Sequence, residues 1–381
     1  MSQDHPQARE SNPGQAGEGP LVARVDLSQL IANMHCLQGA APGLGMLAVV
    51  KADAYGHGAI PVAQALVAAG AEGLCVATLV EALELRQHGL LAPILVFGDR
   101  RPESVPIAAA QRIDLAVVSA DHLRDLLPLV AQHPVGLHLK LDTGMGNTGF
   151  QVAELGATMG DLQALRPHLR GVMSHFSDAE APDGKSAALQ RQTFQAGLAR
   201  LREAGLAPPM VHHANSAGCL RGFTQGDTHV RCGIGLYGLL DIPAAAPAGL
   251  RPILELSAEV TRAVRVPAGT AVGYGSTWVA PHPVTLATLA CGYADGFPRA
   301  LSNRAWAGFP GGPYPLVGTV SMDVVVAVLP EDSPIRAGDR MTLLSRNPQD
   351  PNSVLQTARL LGTIGYEVTC ALHRRVIRQY F

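Results

Sequence analysis

Residues 44–60, LGMLAVVKADAYGHGAI, run without a polar break up to Lys51 and then enter a Gly-containing turn that carries Tyr55 and His57. An unbroken run of Leu, Met, Ala and Val suits a strand covered on both faces. A lysine at the C-terminal end of such a strand, where parallel sheets present their function, is partly desolvated. Desolvation lowers an amine's pKa and makes it a competent Schiff-base nucleophile. On residue type alone the commoner reading is a lysine that merely ends a strand in water. Other strand ends carry reactive types too: Lys140, Met145 and Asn147 in KLDTGMGNTGF, His175 in SHFSDAE, and His212, Asn215 and Ser216 in HHANSAG. A lone histidine there is more often a packing residue, but two that end consecutive strands of a barrel face one mouth.

The string AVVKADAYGHG closely resembles the cofactor-lysine motif of alanine racemases, pyridoxal-phosphate enzymes that interconvert L- and D-alanine. The resemblance implies that Lys51 holds pyridoxal 5'-phosphate covalently, with Tyr55 beside the phosphate. Ser216 resembles the family's phosphate-binding serine, with His212 and Asn215 counted among the cofactor contacts; a hydroxyl at a helix start suits a dianion. VRCGIGLYG resembles the family's Val-Arg-x-Gly-Ile, so Arg231 would donate to the pyridine nitrogen while Gly233 and Ile234 offer backbone N–H groups to the phosphate. An arginine can only donate, which leaves that nitrogen unprotonated and the ring a weaker electron sink than one paired with Asp. A weaker sink favours a carbanion returned at once to a base over transamination. Unmatched to the family, Arg231 reads equally as a surface or salt-bridge arginine.

Further along, VGYGSTW, GYADGFPR and TVSMD supply Tyr274, Tyr293, Asp295, Met322 and Asp323. Gly-flanked tyrosines usually just pack at turns. In the racemase family these strings reach into the partner subunit's barrel, and Tyr274 matches the second catalytic base. A free tyrosine titrates near about 10, so a base role requires positive charge nearby, which a chain from Tyr274 through His175 to Arg231 provides. The implied enzyme is a head-to-tail homodimer with shared active sites, using Lys51 and Tyr274 on opposite faces of Cα and supplying D-alanine for peptidoglycan.

Two departures from the family pattern bear on substrate binding. Asn147 stands where the string Gly-Met-Gly-Arg has its arginine, so a carbamylated Lys140, whose usual partner is that arginine, is doubtful. In YEVTCALHRRVIR, Arg374 replaces a site tyrosine, and the simplest expectation is that it restores the lost charge near the substrate, alongside Met145, Tyr293, Met322 and Asp323. Competing readings are a racemase of other or broader range, such as serine, a non-catalytic pyridoxal-phosphate-binding barrel, and a decarboxylase of the same architecture. The second domain with its Tyr274 string weighs against the non-catalytic barrel.

The elements that must position these residues are visible as alternation. Short apolar strands, LGMLAVVK, GLCVAT, APILVFG, IDLAVVS, VGLHLKLD, LRGVMSHF, PMVHHAN and HVRCGIGLYG, alternate with helical stretches such as AIPVAQALVAAG and SAALQRQTFQAGLARLREAG. Eight strand-helix units predict an α/β fold, a (β/α)8 TIM-type barrel over residues 22–245. An open doubly wound sheet is the runner-up, weakened because no GxGxxG follows the first strand. After the tail, ARVDLSQLIANMHCL reads as a strand and then a helix with Ser28 as N-cap. From 246, after the linker APAGLRP, Val- and Thr-rich segments between Gly/Pro turns predict a mostly β domain to 381, interrupted by one helix in SVLQTARLLGTIG.

A 381-residue chain with 47% hydrophobic residues implies two ordered domains. The net charge of −2 and the lack of any Lys/Arg block leave no footprint for nucleic acid or an anionic membrane, so a small-molecule partner is expected. Six scattered cysteines without a CxxC pair read as free thiols in a reducing compartment, with no metal. Residues 1–21 are read as a disordered tail, polar and lacking the apolar core of a signal peptide. No run reaches the roughly 18 apolar residues of a spanning helix, and the expected location is the cytoplasm.

Overall fold

The computed structural model describes residues 19–242 and 249–381. Most of the expected tail, and part of the expected linker, lie outside the described residues. Two compact units emerge: one comprises residues 25–254, 345–372 and 380–381, the other residues up to 24, 255–344 and 373–379.

The first unit is a parallel barrel. Its strands, Gly45–Val49, Gly73–Val76, Ile94–Val96, Ile113–Val117, Leu137–Asp142, Leu169–Met173, Met210–His212 and His229–Cys232, pair in chain order, and the eighth pairs back on the first. The seam between seventh and eighth is closed outside the regular ladder, by Thr228 N–H to the Val211 carbonyl (2.7 Å) and Arg231 N–H to the Ala214 carbonyl (2.8 Å). Apart from one partly buried position in the fourth, one in the fifth, the exposed Arg170 in the sixth and the partly buried first residues of the last two, these strands are buried throughout, which is why the sequence shows continuous apolar runs rather than alternation. The expected helices form as Ala59–Ala68, Leu79–Gln87, Ala120–Val130 and Lys185–Glu203. Leu79–Gln87 starts with a capping box, in which Thr78 and Glu81 satisfy each other's backbone N–H groups.

Three sequence expectations are corrected. The cap of helix Leu27–Ala40 is Asp26, whose carboxylate accepts the Gln29 N–H at 2.9 Å, and Ser28 already lies inside the helix. Strand Leu21–Val25, expected to lead into the barrel, pairs in the other sheet. Helix Val354–Leu361, expected as an interruption of the β domain, falls in the barrel unit. The last two depend on which distant elements pack together, which local periodicity does not encode.

The second unit is antiparallel. Strands Leu254–Val266, Val284–Leu289, Val325–Leu329, Gly312–Val317, Trp306–Phe309 and Arg340–Leu344 follow one another around a closed ring, with Leu21–Val25 and Ile377–Tyr380 added beside the first. Leu254–Val266 joins the ring's two ends: its first half pairs with Arg340–Leu344, its second half with Val284–Leu289, and the register shifts between Val260 and Arg262. A shift of this kind bends a strand and lets it turn a corner. Among the described residues no helix is long and apolar enough to cross a membrane, no group of three His, Cys, Asp or Glu is placed to hold a metal, and all six cysteines are unpaired.

Candidate active site

A cavity of about 580 Å³ opens at the C-terminal ends of the barrel strands, inside the usual range for a small-ligand site. Its lining includes Lys51 after the first strand, Arg100 after the third, Lys140 on the fifth, His175 after the sixth, Ser216 after the seventh and Arg231 on the eighth.

Lys51 heads an unusual turn. Ala52, Asp53, Ala54 and Tyr55 all have left-handed backbone, with φ of 52°, 53°, 52° and 55°. Left-handed helix costs an L-residue roughly 1–2 kcal/mol, so the surroundings must hold the turn in place. Glu81 does part of this: one carboxylate oxygen accepts the Ala52 N–H at 2.7 Å while the other accepts the Ala77 and Thr78 N–H groups at 2.8 and 2.9 Å. Asp53 accepts the Ala59 N–H at 2.7 Å and ties the turn to the next helix. Lys51 is thereby set on a rigid corner with its side chain on the cavity wall.

Arg231 forms the buried floor. Its Nη2 donates to the Ser174 carbonyl (2.5 Å) and to His175 Nδ1 (3.1 Å), and its Nη1 to the His212 carbonyl (2.5 Å) and His212 Nδ1 (2.9 Å). Burial, then the charges of Arg231, Lys51 and Lys140, pushes His175 down to about 3, so its ring is neutral. Burial and the same arginine hold His212 far below its ordinary value. His212, expected among the cofactor contacts, does not line the cavity; it lies fully buried behind Arg231. The sequence places it at a strand end, but its side chain faces the barrel interior, toward His138, not the mouth.

Lys140 Nζ donates to Asn147 Oδ1 at 3.0 Å and to Thr148 Oγ1 at 2.6 Å. Burial first, and Arg231 second, lowers its pKa. The loop that carries Met145 and Asn147 is folded by Asp142, whose Oδ1 accepts the N–H groups of Gly144, Met145 and Gly146 at 3.0, 3.0 and 3.1 Å. Across the cavity, Ser216 Oγ accepts the Gly233 and Gly235 N–H groups, both at 3.1 Å, and Asn215 caps the following short helix through the Gly218 N–H (2.8 Å). Tyr55 and Ile234 complete this side. The barrel unit thus gathers Lys51, Tyr55, Lys140, Met145, Asn147, His175, Asn215, Ser216, Arg231, Gly233 and Ile234 around one cavity.

Sequence reasoning missed Phe97, Arg100, Glu180 and Tyr366 in the lining. Arg100 sits just beyond the third strand in GDRRPES, so the strand-end rule that found the histidines also reaches it. Tyr366 O–H donates to Glu180 at 3.4 Å, a contact between residues 186 apart that no local pattern signals.

The β unit gathers the other expected residues. The Tyr274 carbonyl accepts from Thr319 Oγ1 (2.8 Å), Tyr293 N–H donates to the Ser321 carbonyl (3.0 Å), and Ala294 N–H to the Met322 carbonyl (3.0 Å), so three separate strings meet in one patch. Tyr274, Met322 and Tyr293 are 75%, 52% and 43% exposed, an unusual display of large apolar surface. Arg375 braces the patch by pairing with Asp295 and, at 2.6 Å, with Asp323. Arg374 beside it is exposed. None of these residues lines the barrel cavity.

Known proteins share this sequence pattern and fold. The family model for the alanine racemase N-terminal domain matches residues 25–241, and that for the alanine racemase C-terminal domain matches residues 253–380. The alanine racemase of Symbiobacterium thermophilum is 38% identical over 369 residues, covering 96% of this chain and 98% of that protein. The crystal structure of alanine racemase from Streptomyces lavendulae superposes with a TM-score of 0.89 at 34% identity, over 95% of this chain and 97% of that one. The Bartonella henselae alanine racemase, solved with covalently bound pyridoxal phosphate, gives a TM-score of 0.86 at 28% identity, over 95% and 100% of the two chains.

Proposed function

This chain belongs to the alanine racemase family and is an isomerase of that kind, and we propose that it interconverts L- and D-alanine on pyridoxal phosphate with Lys51 and Tyr274 as its two bases. The observation that carries the reading is the meeting of an amine on a rigid corner, Lys51, with a buried donor-only guanidinium, Arg231, on the wall of one cavity.

The donor set fits the cofactor. Lys51 supplies the amine for covalent attachment, Arg231 an N–H for an unprotonated ring nitrogen, and Ser216 with Tyr55 and the neighbouring backbone N–H groups a neutral cradle for a dianion. Bound there, pyridoxal phosphate supplies an electron-withdrawing ring that stabilises charge developing at the substrate Cα. Lys51 takes the Cα proton of D-alanine, and the partner subunit's Tyr274 takes that of L-alanine from the opposite face. With His175 neutral, the fixed charge that favours the phenolate of the tyrosine is the guanidinium behind it, passed on through hydrogen bonds. Lys140 and Arg100 are the cations on the wall available to the substrate carboxylate. The reading includes a cytoplasmic homodimer that supplies D-alanine for peptidoglycan, and unpaired thiols accord with a reducing compartment.

Two measurements test it. The purified protein should abolish the optical rotation of L-alanine faster than that of L-serine or a basic amino acid. Borohydride should fix the cofactor onto Lys51; a label on another lysine, or no turnover with alanine, overturns the reading.

A further inference from the structure

The barrel interior contains a line of polar side chains that the proposed chemistry does not use. His212 Nε2 lies 2.8 Å from His138 Nδ1, and His138 Nε2 lies 3.4 Å from Asp114 Oδ2. His138 and His212 are 1% and 0% exposed, so neither can exchange its partner for water. Asp114 is the solvent-side end, with its side chain 17% exposed. It reaches a second, smaller cavity of about 260 Å³ lined by Arg86, Arg112 and Arg170. The line therefore runs through the barrel from that cavity to Arg231.

Counting protons along it leaves one arrangement. Arg231 Nη1 can only donate to His212 Nδ1. His212 Nδ1 must then be a lone pair, and its proton sits on Nε2. That proton points at His138 Nδ1, which must accept, leaving His138 Nε2–H for Asp114. Both imidazoles are neutral. A proton on His138 Nδ1 would force His212 to turn an N–H toward the guanidinium and break the contact. The line is not a proton wire, because arginine does not give up its proton; what it transmits is the identity of the His212 tautomer. Two glycines make room for it: a Cβ on Gly171 would overlap His138 Nδ1, and one on Gly136 would overlap Asp114 Oδ1.

We propose that Asp114 and His138 are positioning residues that lock His212 in its Nε2–H tautomer, so that its Nδ1 lone pair fixes the orientation in which Arg231 faces the cavity. Its catalytic meaning rests on the racemase reading above; the tautomer itself does not. Losing the outer partner of a metal-bound histidine typically lowers activity about 10- to 100-fold, and a loss on that scale is expected for a histidine that orients Arg231.

The test is long-range proton–nitrogen correlation NMR on the holoenzyme labelled with ¹⁵N-histidine, with His212 assigned by its loss in His212→Gln. The wild-type signal should show a protonated Nε2 and a bare Nδ1. A proton on Nδ1 overturns the proposal without any variant. His138→Leu should let His212 populate both tautomers and lower kcat at least 10-fold in both directions with KM within about twofold. His138→Asn, which returns an acceptor near the Nδ1 position, should restore the single tautomer and most of kcat. If His138→Leu does not fold, Asp114→Leu at the more exposed end should shift the tautomer in the same direction. A fall in kcat with an unchanged tautomer means a packing role only and overturns the lock. A protein that keeps the tautomer pattern yet does not turn over alanine overturns the racemase reading instead.

Discussion

Where the family string has an arginine, Asn147 accepts a hydrogen bond from Lys140 Nζ at 3.0 Å. A carbamate at Lys140 opposite an arginine sums to zero charge. An ammonium opposite an amide sums to plus one. With Lys140 unmodified, the single replacement at Asn147 leaves a cation in the cavity, carried by the lysine. Hydrogen bonds to a charged group contribute roughly 1.5–3 kcal/mol, so Lys140→Met should lower kcat/KM about 10- to 150-fold for both enantiomers. Burial and Arg231 lower the Lys140 pKa, so its charge is present at low pH and lost as pH rises through that value. Efficiency should fall on the alkaline side for that reason. Lys140→Arg, which stays protonated, should keep activity and remove that limb, and an unchanged alkaline profile would exclude Lys140 from carboxylate binding. The rival carrier is Arg374. If it restores the missing charge, Arg374→Tyr should be crippled and Asn147→Arg should rescue it, whereas additive single effects would mean that the two positions act independently.

At the scale of elements, the left-handed run from Ala52 to Tyr55 is a conflict between local preference and the fold, and such conflicts concentrate at functional sites. Ala52 is exposed with φ of 52°, a conformation glycine adopts freely. Ala52→Gly should therefore raise stability by about 0.5–1 kcal/mol in denaturant unfolding, against the usual penalty for glycine. Glu81→Ala frees three backbone N–H groups at once, two at the start of its own helix and one of the strained turn, and should cost about 2–3 kcal/mol. If Glu81→Ala is neutral, the turn is held by other contacts. The same segment marks what the sequence makes legible. Lys51 stands out because a double-buried strand leaves an apolar run that stops abruptly at a charge, while its role is legible only through the AVVKADAYGHG resemblance. The eight barrel strands were found by the same apolar runs. The turn's handedness was not found, since nothing in KADAY departs from helix-forming composition. His138 was passed over because a histidine inside a strand looks like packing until its ring nitrogens can be paired with His212 and Asp114. The β-unit membership of Leu21–Val25 escaped because its partners lie more than 200 residues away.

For the molecule as a whole, the division of labour between the units motivates the last prediction. The barrel unit carries the amine, the guanidinium and the phosphate-type donors around one cavity. The β unit carries a patch of Tyr274, Tyr293 and Met322 that a single chain leaves 75%, 43% and 52% exposed. Large apolar side chains grouped with a braced pair of carboxylates, Asp295 and Asp323 on Arg375, are expensive to leave in water and read as a surface that a second copy covers. A C2 dimer repeats every contact, so a patch that enters the partner's barrel completes two sites at once. Lys51→Ala and Tyr274→Phe should each retain less than about a hundredth of wild-type activity, the scale of losing a positioned acid–base group. Mixed and allowed to exchange, they should form heterodimers in which one site lacks both bases and the other has both. Activity in the mixture should then rise toward one quarter of wild type, because half of the dimers are mixed and each has one intact site of two. Size-exclusion chromatography with differently tagged chains verifies exchange. Exchange without recovered activity would mean that Tyr274 serves its own chain, or is not a base at all.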